Sequence, residues 1–389
     1  MIRLFLNGLA ASAGGGLTYL RNVVPKLSTK EDVHATIAVG PSLRFEFQDL
    51  PNISFLETRM PAGPLRRFWR EQSILPRLIR ESGANVLISA GNFALRKSPV
   101  PQILLSRNSL YLSGDFFRDL RDRKDYRLWL DTRMKGILAK RSIQWADRTV
   151  APSLAFAEEL RHCSGKDVTS IHHGFDEGTF FGDKALLSPE IERRLESDSG
   201  TLRLLFVSHY NYYRNFETLL RAIPLVRDRL RGRKVELFLT CRLRSEETPG
   251  GYRAESAAAL IKQLGIAENV IELGSVPYTR LHRVYRACDI YVTPSYAETF
   301  AHPLVEAMAS GLPVIASDLP VHREICNAAA EYFPRFSPAE LASKIVQVAS
   351  FGERRQSMTE LGRSRASDFS WINHVDSLVA LARQLAGSR

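Results

Sequence analysis

Short apolar runs alternate with amphipathic stretches along the whole chain, the pattern of parallel strands covered by helices. In the first half, Ile2–Leu6, His34–Val39, Asn85–Ser89, Gln102–Leu105, Arg148–Ala151 and Val168–Ile171 read as strands. Helical spacing fills Leu17–Leu27, Leu65–Arg80, a long stretch Phe116–Trp145, and Ser153–His162. The alternation restarts with Leu202–Val207, Val235–Thr240, Val270–Leu273, Ile290–Thr293 and Val314–Ala316. Between the halves, Phe181–Gly200 is polar and charged and reads as a linker. Trp371–Leu385 has helical spacing and a large aromatic anchor, which would let it cross back onto the first domain. The expectation is two doubly wound α/β domains, 1–182 and 201–368, joined by a linker at 183–200 and followed by a helix within 369–389. Such sheets bind ligands at the carboxyl ends of their strands, so facing domains would place a site in the cleft between them.

Composition narrows the class. A length of 389 residues suits two domains, and 44% hydrophobic residues excludes global disorder. No apolar run approaches the ~18 residues of a membrane span. Four cysteines stand far apart without a CxxC pair, which suits a reduced cytoplasmic protein better than a disulfide framework or a zinc site. Arg3, an apolar stretch and Ala11-Ser12-Ala13 imitate a secretory leader, but Asn7-Gly8 interrupts the apolar run too early. The net charge of +11 is uneven: residues 1–150 hold 24 Lys+Arg against 13 Asp+Glu, and the remainder balances at 29 and 29.

The densest chemistry lies in Ile290–Asp318, IYVTPSYAETFAHPLVEAMASGLPVIASD. A strand ends at Thr293, Pro303 suits the first turn of a helix, and Gly311 closes that helix before the next strand. Glu298 precedes the helix and Glu306 sits one turn inside it. Between them the amides of Phe300, Ala301 and His302 approach a helix N-terminus, where unbonded N–H groups and the dipole favour an anion. Carboxylates accept from hydroxyls rather than binding phosphate. An anion site between two hydroxyl acceptors describes a sugar nucleotide.

The eight-residue spacing of Glu298 and Glu306, followed by AMASGLPVIAS, resembles the signature of retaining GT-B glycosyltransferases of family 4. The resemblance implies that Glu298 binds hydroxyls of the donor sugar and Glu306 the ribose. Thr299 and Ala301 stand where the family often has two glycines. In FVSHYNYYRNFETLLRAI, Ser208-His209 and Arg214-Asn215 occupy the places of the family's basic pair, which implies diphosphate binding by Arg214 and His209. Arg214 offers a permanently charged fork, whereas His209 replaces the usual Arg. The run LAASAGGGLTYL lets backbone approach a ligand, and the resemblance matches Gly15 and Gly16 to a Gly-Gly pair facing donor and acceptor. Arg107-Asn108 follow a strand where many members have His-Asp, and are candidates for the diphosphate or the acceptor. The base pocket is expected around Gly274–Val276. His172-His173-Gly174 resembles a family turn and is read as structural.

No Asp-x-Asp motif, metal-ligand spacing, P-loop or GxSxG elbow is found, so metal-independent chemistry without a cofactor is expected. The resemblance implies retaining transfer of a hexose-like unit from a UDP- or GDP-linked sugar to a saccharide or lipid-linked acceptor, in polysaccharide, O-antigen or glycolipid assembly. A sugar-nucleotide epimerase or hydrolase of the same fold is the alternative, and a non-catalytic carbohydrate- or nucleic-acid-binding protein a distant one. The basic excess concentrates in Arg59–Arg80 and Arg118–Arg148, the latter with Phe116, Phe117, Tyr126, Trp129 and Trp145 in or beside it. Base-stacking aromatics are too few for nucleic acid. The run reads either as a solvated helix face or as a surface for anionic phospholipid, giving a cytoplasmic protein peripheral to the inner membrane face.

Overall fold

The computed structural model describes residues 1–11, 14–61, 63–196, 198–248 and 250–387. Ser12 and Ala13, part of the leader-like stretch, lie outside the described residues. The chain forms two units, each built on one parallel sheet. The first has seven strands, β1 (Ile2–Asn7), β2 (Val33–Val39), β3 (Ile53–Glu57), β4 (Val86–Ser89), β5 (Gln102–Leu105), β6 (Arg148–Ala151) and β7 (Val168–Ser170), in the order 3-2-1-4-5-6-7. The second has β8 (Leu202–Phe206), β9 (Val235–Leu239), β10 (Val270–Glu272), β11 (Ile290–Thr293), β12 (Val314–Ser317) and β13 (Ala330–Phe333), in the order 10-9-8-11-12-13. Both orders are doubly wound. Chain direction across each sheet reverses between its first and fourth strands, registered as Leu4↔Val86 and Leu204↔Ile290. Central strands such as β4, β9, β11 and β12 are buried at every residue, because helices cover both faces.

Two strands carried no recognised signal. β3 and β13 are sheet edges with half-buried patterns, so neither shows a continuous apolar run. The stretch Phe116–Trp145, expected as one helix, is two: Gly114–Asp122 and Tyr126–Trp145, broken where Lys124 takes φ 54°. The break separates the units. The first comprises Met1–Leu112, Lys124–Gly174 and the chain from Ser370 onwards; the second comprises Ser113–Arg123 and Phe175–Phe369. The helix Gly114–Asp122 therefore belongs with the second sheet. The stretch 183–200, expected as a linker, carries the helix Pro189–Leu195 with Leu187 and Ile191 buried, and Asp183 accepts from Thr279 Oγ1 at 2.8 Å.

The last helix, Trp371–Gly387, buries Trp371, Val375, Leu378, Val379, Ala382 and Leu385 on one stripe. These residues share a core with Tyr19, Leu20, Val23, Val24 and Leu27 of the first helix, Gly14–Ser28. Each such aliphatic side chain contributes roughly 1.5–3 kcal/mol when fully buried. Gly174 permits the approach: a Cβ there would lie 2.0 Å from the backbone nitrogen of Trp371.

Candidate functional site

In the second unit, the loops following β8 and β11 leave adjacent strands at the switch point of the sheet. The first loop turns through the short helix Tyr212–Arg214 and ends at Asn215, whose φ of 54° starts the helix Phe216–Arg229. Asn215 earns that left-handed position by bonding: its Nδ2 donates to the carbonyls of Pro294 and Arg335 at 3.1 and 2.7 Å, and its Oδ1 accepts from Thr218. Arg214 is thereby held beside the second loop. Its guanidinium pairs with the Glu298 carboxylate, donates to Ser295 Oγ at 3.4 Å and lies over the Tyr213 ring at 5.0 Å. Both charged side chains are largely buried, 18% and 8% exposed, and Arg214 Nε has no partner among the described residues. A desolvated cation with an unused donor retains capacity for a second anion.

The second loop ends at Ala301, in the left-handed region at φ 63°, immediately before the helix His302–Ala309. Ala301, at the N-cap, has no side-chain hydrogen bond to offer that helix. Its first turn thus keeps the donor-rich character expected of an anion site. The three residues named for their amides differ in side-chain placement. Phe300 is buried edge-on against Phe369, Ala301 is buried, and the His302 ring sits 4.8 Å from that of Phe300. Glu306 is buried in the same helix and accepts from the Tyr285 hydroxyl at 2.9 Å. Burial pushes its carboxyl up to about 7, against the opposing pull of the Tyr285 bond.

Sequence reading missed the residues that brace this pair of loops. Ser317 Oγ donates to the Ser295 carbonyl, and His322 Nδ1 contacts the Ser317 carbonyl at 2.9 Å. Burial holds His322 down to about 4, the Ser317 carbonyl opposing and Arg214 adding to the fall. The ring is therefore neutral, its Nδ1–H donated to Ser317, and Nε2 has no partner among the described residues. The helix Gly114–Asp122 adds a strap from a distant part of the sequence. Asp119 accepts from the Tyr296 hydroxyl at 2.7 Å, Asp115 pairs with Arg335 at 2.7 Å, and Phe116 meets Tyr213 edge-on. Arg123 closes the strap, bonding Asp119 at 2.7 Å and Glu217 at 2.8 Å over the Tyr212 ring. Asp119 and Tyr296 lie 177 positions apart, so nothing local in the sequence links them.

His209 lies exposed on the loop after β8, its carbonyl accepting from Ser208 Oγ and Asn211 Nδ2. Val276 is half-buried in the loop after β10, two residues past Gly274 at φ 77°.

In the first unit, Gly15 and Gly16 open the helix Gly14–Ser28 after β1. A Cβ at Gly16 would lie 3.2 Å from Ala11 Cα, whereas none would meet an atom at Gly15. The structure brings Gly15 to Arg107: the guanidinium donates to the carbonyls of Gly15 and Ala90 and stacks over the Tyr19 ring at 4.4 Å. Burial presses Arg107 below its ordinary value, and its Nε has no partner among the described residues. Tyr19 is anchored in turn by His374, whose Nε2 takes the hydroxyl at 3.0 Å while Nδ1 meets the His172 carbonyl at 2.8 Å. His173 stacks on Trp371, so this turn secures the last helix. Asn108 is occupied as a cap, accepting from the Leu110 amide at 3.0 Å.

Two family models match the chain: Glycosyltransferase Family 4 over residues 13–178 and Glycosyl transferases group 1 over residues 188–365. A D-inositol 3-phosphate glycosyltransferase of Segniliparus rotundus is 29% identical over 245 residues, covering 61% of this chain and 52% of that protein. D-inositol 3-phosphate glycosyltransferase 2 of Catenulispora acidiphila is 33% identical over 176 residues, 44% of this chain and 40% of its own. The chain spans about half the length of the first of these curated relatives. Among solved structures, sucrose-phosphate synthase from Thermosynechococcus elongatus aligns with a TM-score of 0.76 at 18% identity, over 100% of both chains. HepE from Anabaena, in complex with UDP and glucose, aligns at 0.72 and 16% identity, over 99% of this chain and 100% of that one. These likenesses establish the fold, the two-domain α/β architecture called GT-B.

Proposed function

The chain belongs to the group 1 and family 4-like glycosyltransferases, and from that premise we propose that it moves a hexose-like unit from a nucleotide diphosphate sugar to an acceptor hydroxyl with retention of configuration. One observation carries this reading: the Arg214–Glu298 pair lies in the loops of adjacent strands, with the start of the Glu306 helix immediately after the second loop. The diphosphate would take the free valence of Arg214 and the first amides of the helix, with the exposed His209 as a further hydrogen-bonding group on the same loop. Fixed positive groups would then absorb the leaving-group charge, the electrostatic contribution that dominates such reactions. Glu298, oriented by Arg214, would accept from hydroxyls of the donor sugar and set the position of the anomeric carbon. Glu306 would accept from the ribose. With Glu298 paired to Arg214, no side chain stands out as a covalent nucleophile, and same-face substitution assisted by the departing phosphate is the route proposed for retention. A UDP-bound neighbour supports a nucleotide-sugar donor, which we propose to be UDP- or GDP-linked. In the first unit, Gly15, Gly16 and Arg107 form the candidate surface for acceptor or diphosphate, with a saccharide or lipid-linked acceptor. Metal-independence is part of the proposal, since Arg214 and the helix start supply the positive charge.

The test is transfer from a panel of UDP- and GDP-hexoses to saccharide and lipid-linked acceptors, with the anomeric configuration of the product read by NMR. Arg214→Ala and Glu298→Gln are expected to lower kcat/KM by about 10²–10³, measured at a temperature where circular dichroism shows each variant folded, since breaking a buried pair lowers stability as well. Undiminished transfer in either variant refutes the site. Conversion of the donor at the same rate without acceptor would make the chain an epimerase or hydrolase instead.

A further inference from the structure

The helix Tyr126–Trp145 buries one side, through Thr132, Ala139, Ser142 and Ile143, and exposes an apolar row on the other. Tyr126 is 63% exposed, Leu130 56%, Met134 48% and Ile137 58%. At 3.6 residues per turn, these four fall within an arc of roughly 80°. Arg133 and Lys140 border the arc on one side and Arg127 on the other, and Arg141 lies between Leu130 and Met134. All four cations are exposed, and none has an ion-pair partner among the described residues. The helix has one acid, Asp131, which pairs with Lys135 away from the row. An apolar centre with basic margins is the pattern of a helix that lies in the plane of a bilayer interface.

The structure also changes which residues supply that surface. Phe116 is buried in the other unit, and Trp145 stacks on Phe68 at 6.4 Å rather than facing solvent. The Phe68 contact brings the helix Pro64–Glu81 alongside, and Trp69 is 70% exposed there on the same side as Arg66 and Arg70.

We propose that the helix Tyr126–Trp145 docks flat on an anionic phospholipid surface, with Tyr126, Leu130, Met134 and Ile137 at the acyl boundary and the four cations on headgroup phosphates. Charge complementarity selects this occupant. A second copy would set the same unpaired cations against each other, and a zwitterionic surface offers them no net attraction. The proposal rests on the surface alone and not on the reaction, so vesicle binding without any donor tests it.

The experiment is flotation of the full chain with vesicles of phosphatidylcholine alone, or of phosphatidylcholine with phosphatidylglycerol, at low and high salt. The protein should float with the anionic vesicles at low salt only. Replacing Arg127, Arg133, Lys140 and Arg141 by Gln should weaken partitioning roughly fivefold per cation. Leu130→Glu with Ile137→Glu should abolish it, with donor binding by calorimetry and the melting temperature unchanged. Failure of the parent to float with anionic vesicles overturns the proposal, as does undiminished binding by the double-Glu variant. So does light scattering that shows a dimer which the double-Glu variant dissociates, for then a second copy covers the face.

Discussion

Glu306→Gln should stabilise the folded protein at alkaline pH while weakening its hold on a nucleotide. Burial holds the Glu306 carboxyl at about 7, against an ordinary 4.5. A carboxyl that keeps its proton more tightly folded than unfolded carries no penalty while protonated in both states. The penalty grows as pH rises from about 4.5 to about 7 and is complete above that, so stability falls with rising pH across this window. The displacement corresponds to about 3 kcal/mol at pH 8. Glutamine keeps an acceptor for the Tyr285 hydroxyl and removes the charge. Urea denaturation of parent and variant at pH 5 and pH 8 isolates this group, because other titrations cancel in the difference. At pH 5 the variant should lead by no more than about 1 kcal/mol, and at pH 8 by about 3 kcal/mol. A difference that does not change between the two pH values refutes the reasoning. On the proposed role, the parent's nucleotide affinity should rise through pH 7 as the carboxylate forms, and the variant's should be lower and flat.

Ala301 holds a left-handed φ that costs an L-residue roughly 1–2 kcal/mol, and glycine's unfolded-state entropy offsets about 0.4–1 kcal/mol of that, so Ala301→Gly should raise the unfolding free energy by about 1 kcal/mol and the denaturation midpoint with it. An unchanged or lowered midpoint would show that the loop is not strained. Gly174→Ala should drive the last helix off its unit, because the added Cβ would fall 2.0 Å from the Trp371 nitrogen and 2.5 Å from the Ser370 carbonyl carbon. A loss of more than about 3 kcal/mol and early proteolysis near residue 370 are expected. A protease-resistant C-terminus would refute the close approach.

Much of the fold was legible because its signals are local. The central strands are buried throughout and apolar at all but one terminal position, so β4, β5, β11 and β12 stood out within a residue of their ends. β3 and β13 did not, since Ser54 in one and Glu331 in the other interrupt short runs. The strand–loop–helix unit bearing Glu298 and Glu306 was readable from Pro303 and Gly311, whose roles depend on immediate neighbours. The break at Lys124 was not, because no proline or glycine marks it.

What the sequence by itself determined is therefore most of the strands, their winding, and a loop with two carboxylates beside a helix start. Each follows from periodicity and turn chemistry over a few residues. The tertiary structure decided the rest. It paired Arg214 with Glu298 across 84 positions, bound Asp119 to Tyr296 across 177, and moved the helix Gly114–Asp122 into the second unit. It also made Glu306 reluctant to ionise, and left Tyr126, Leu130, Met134 and Ile137 in solvent. Burial and long-range partners arise only when distant segments pack. A carboxylate's charge state and an apolar residue's exposure therefore could not be read from its neighbours in the chain.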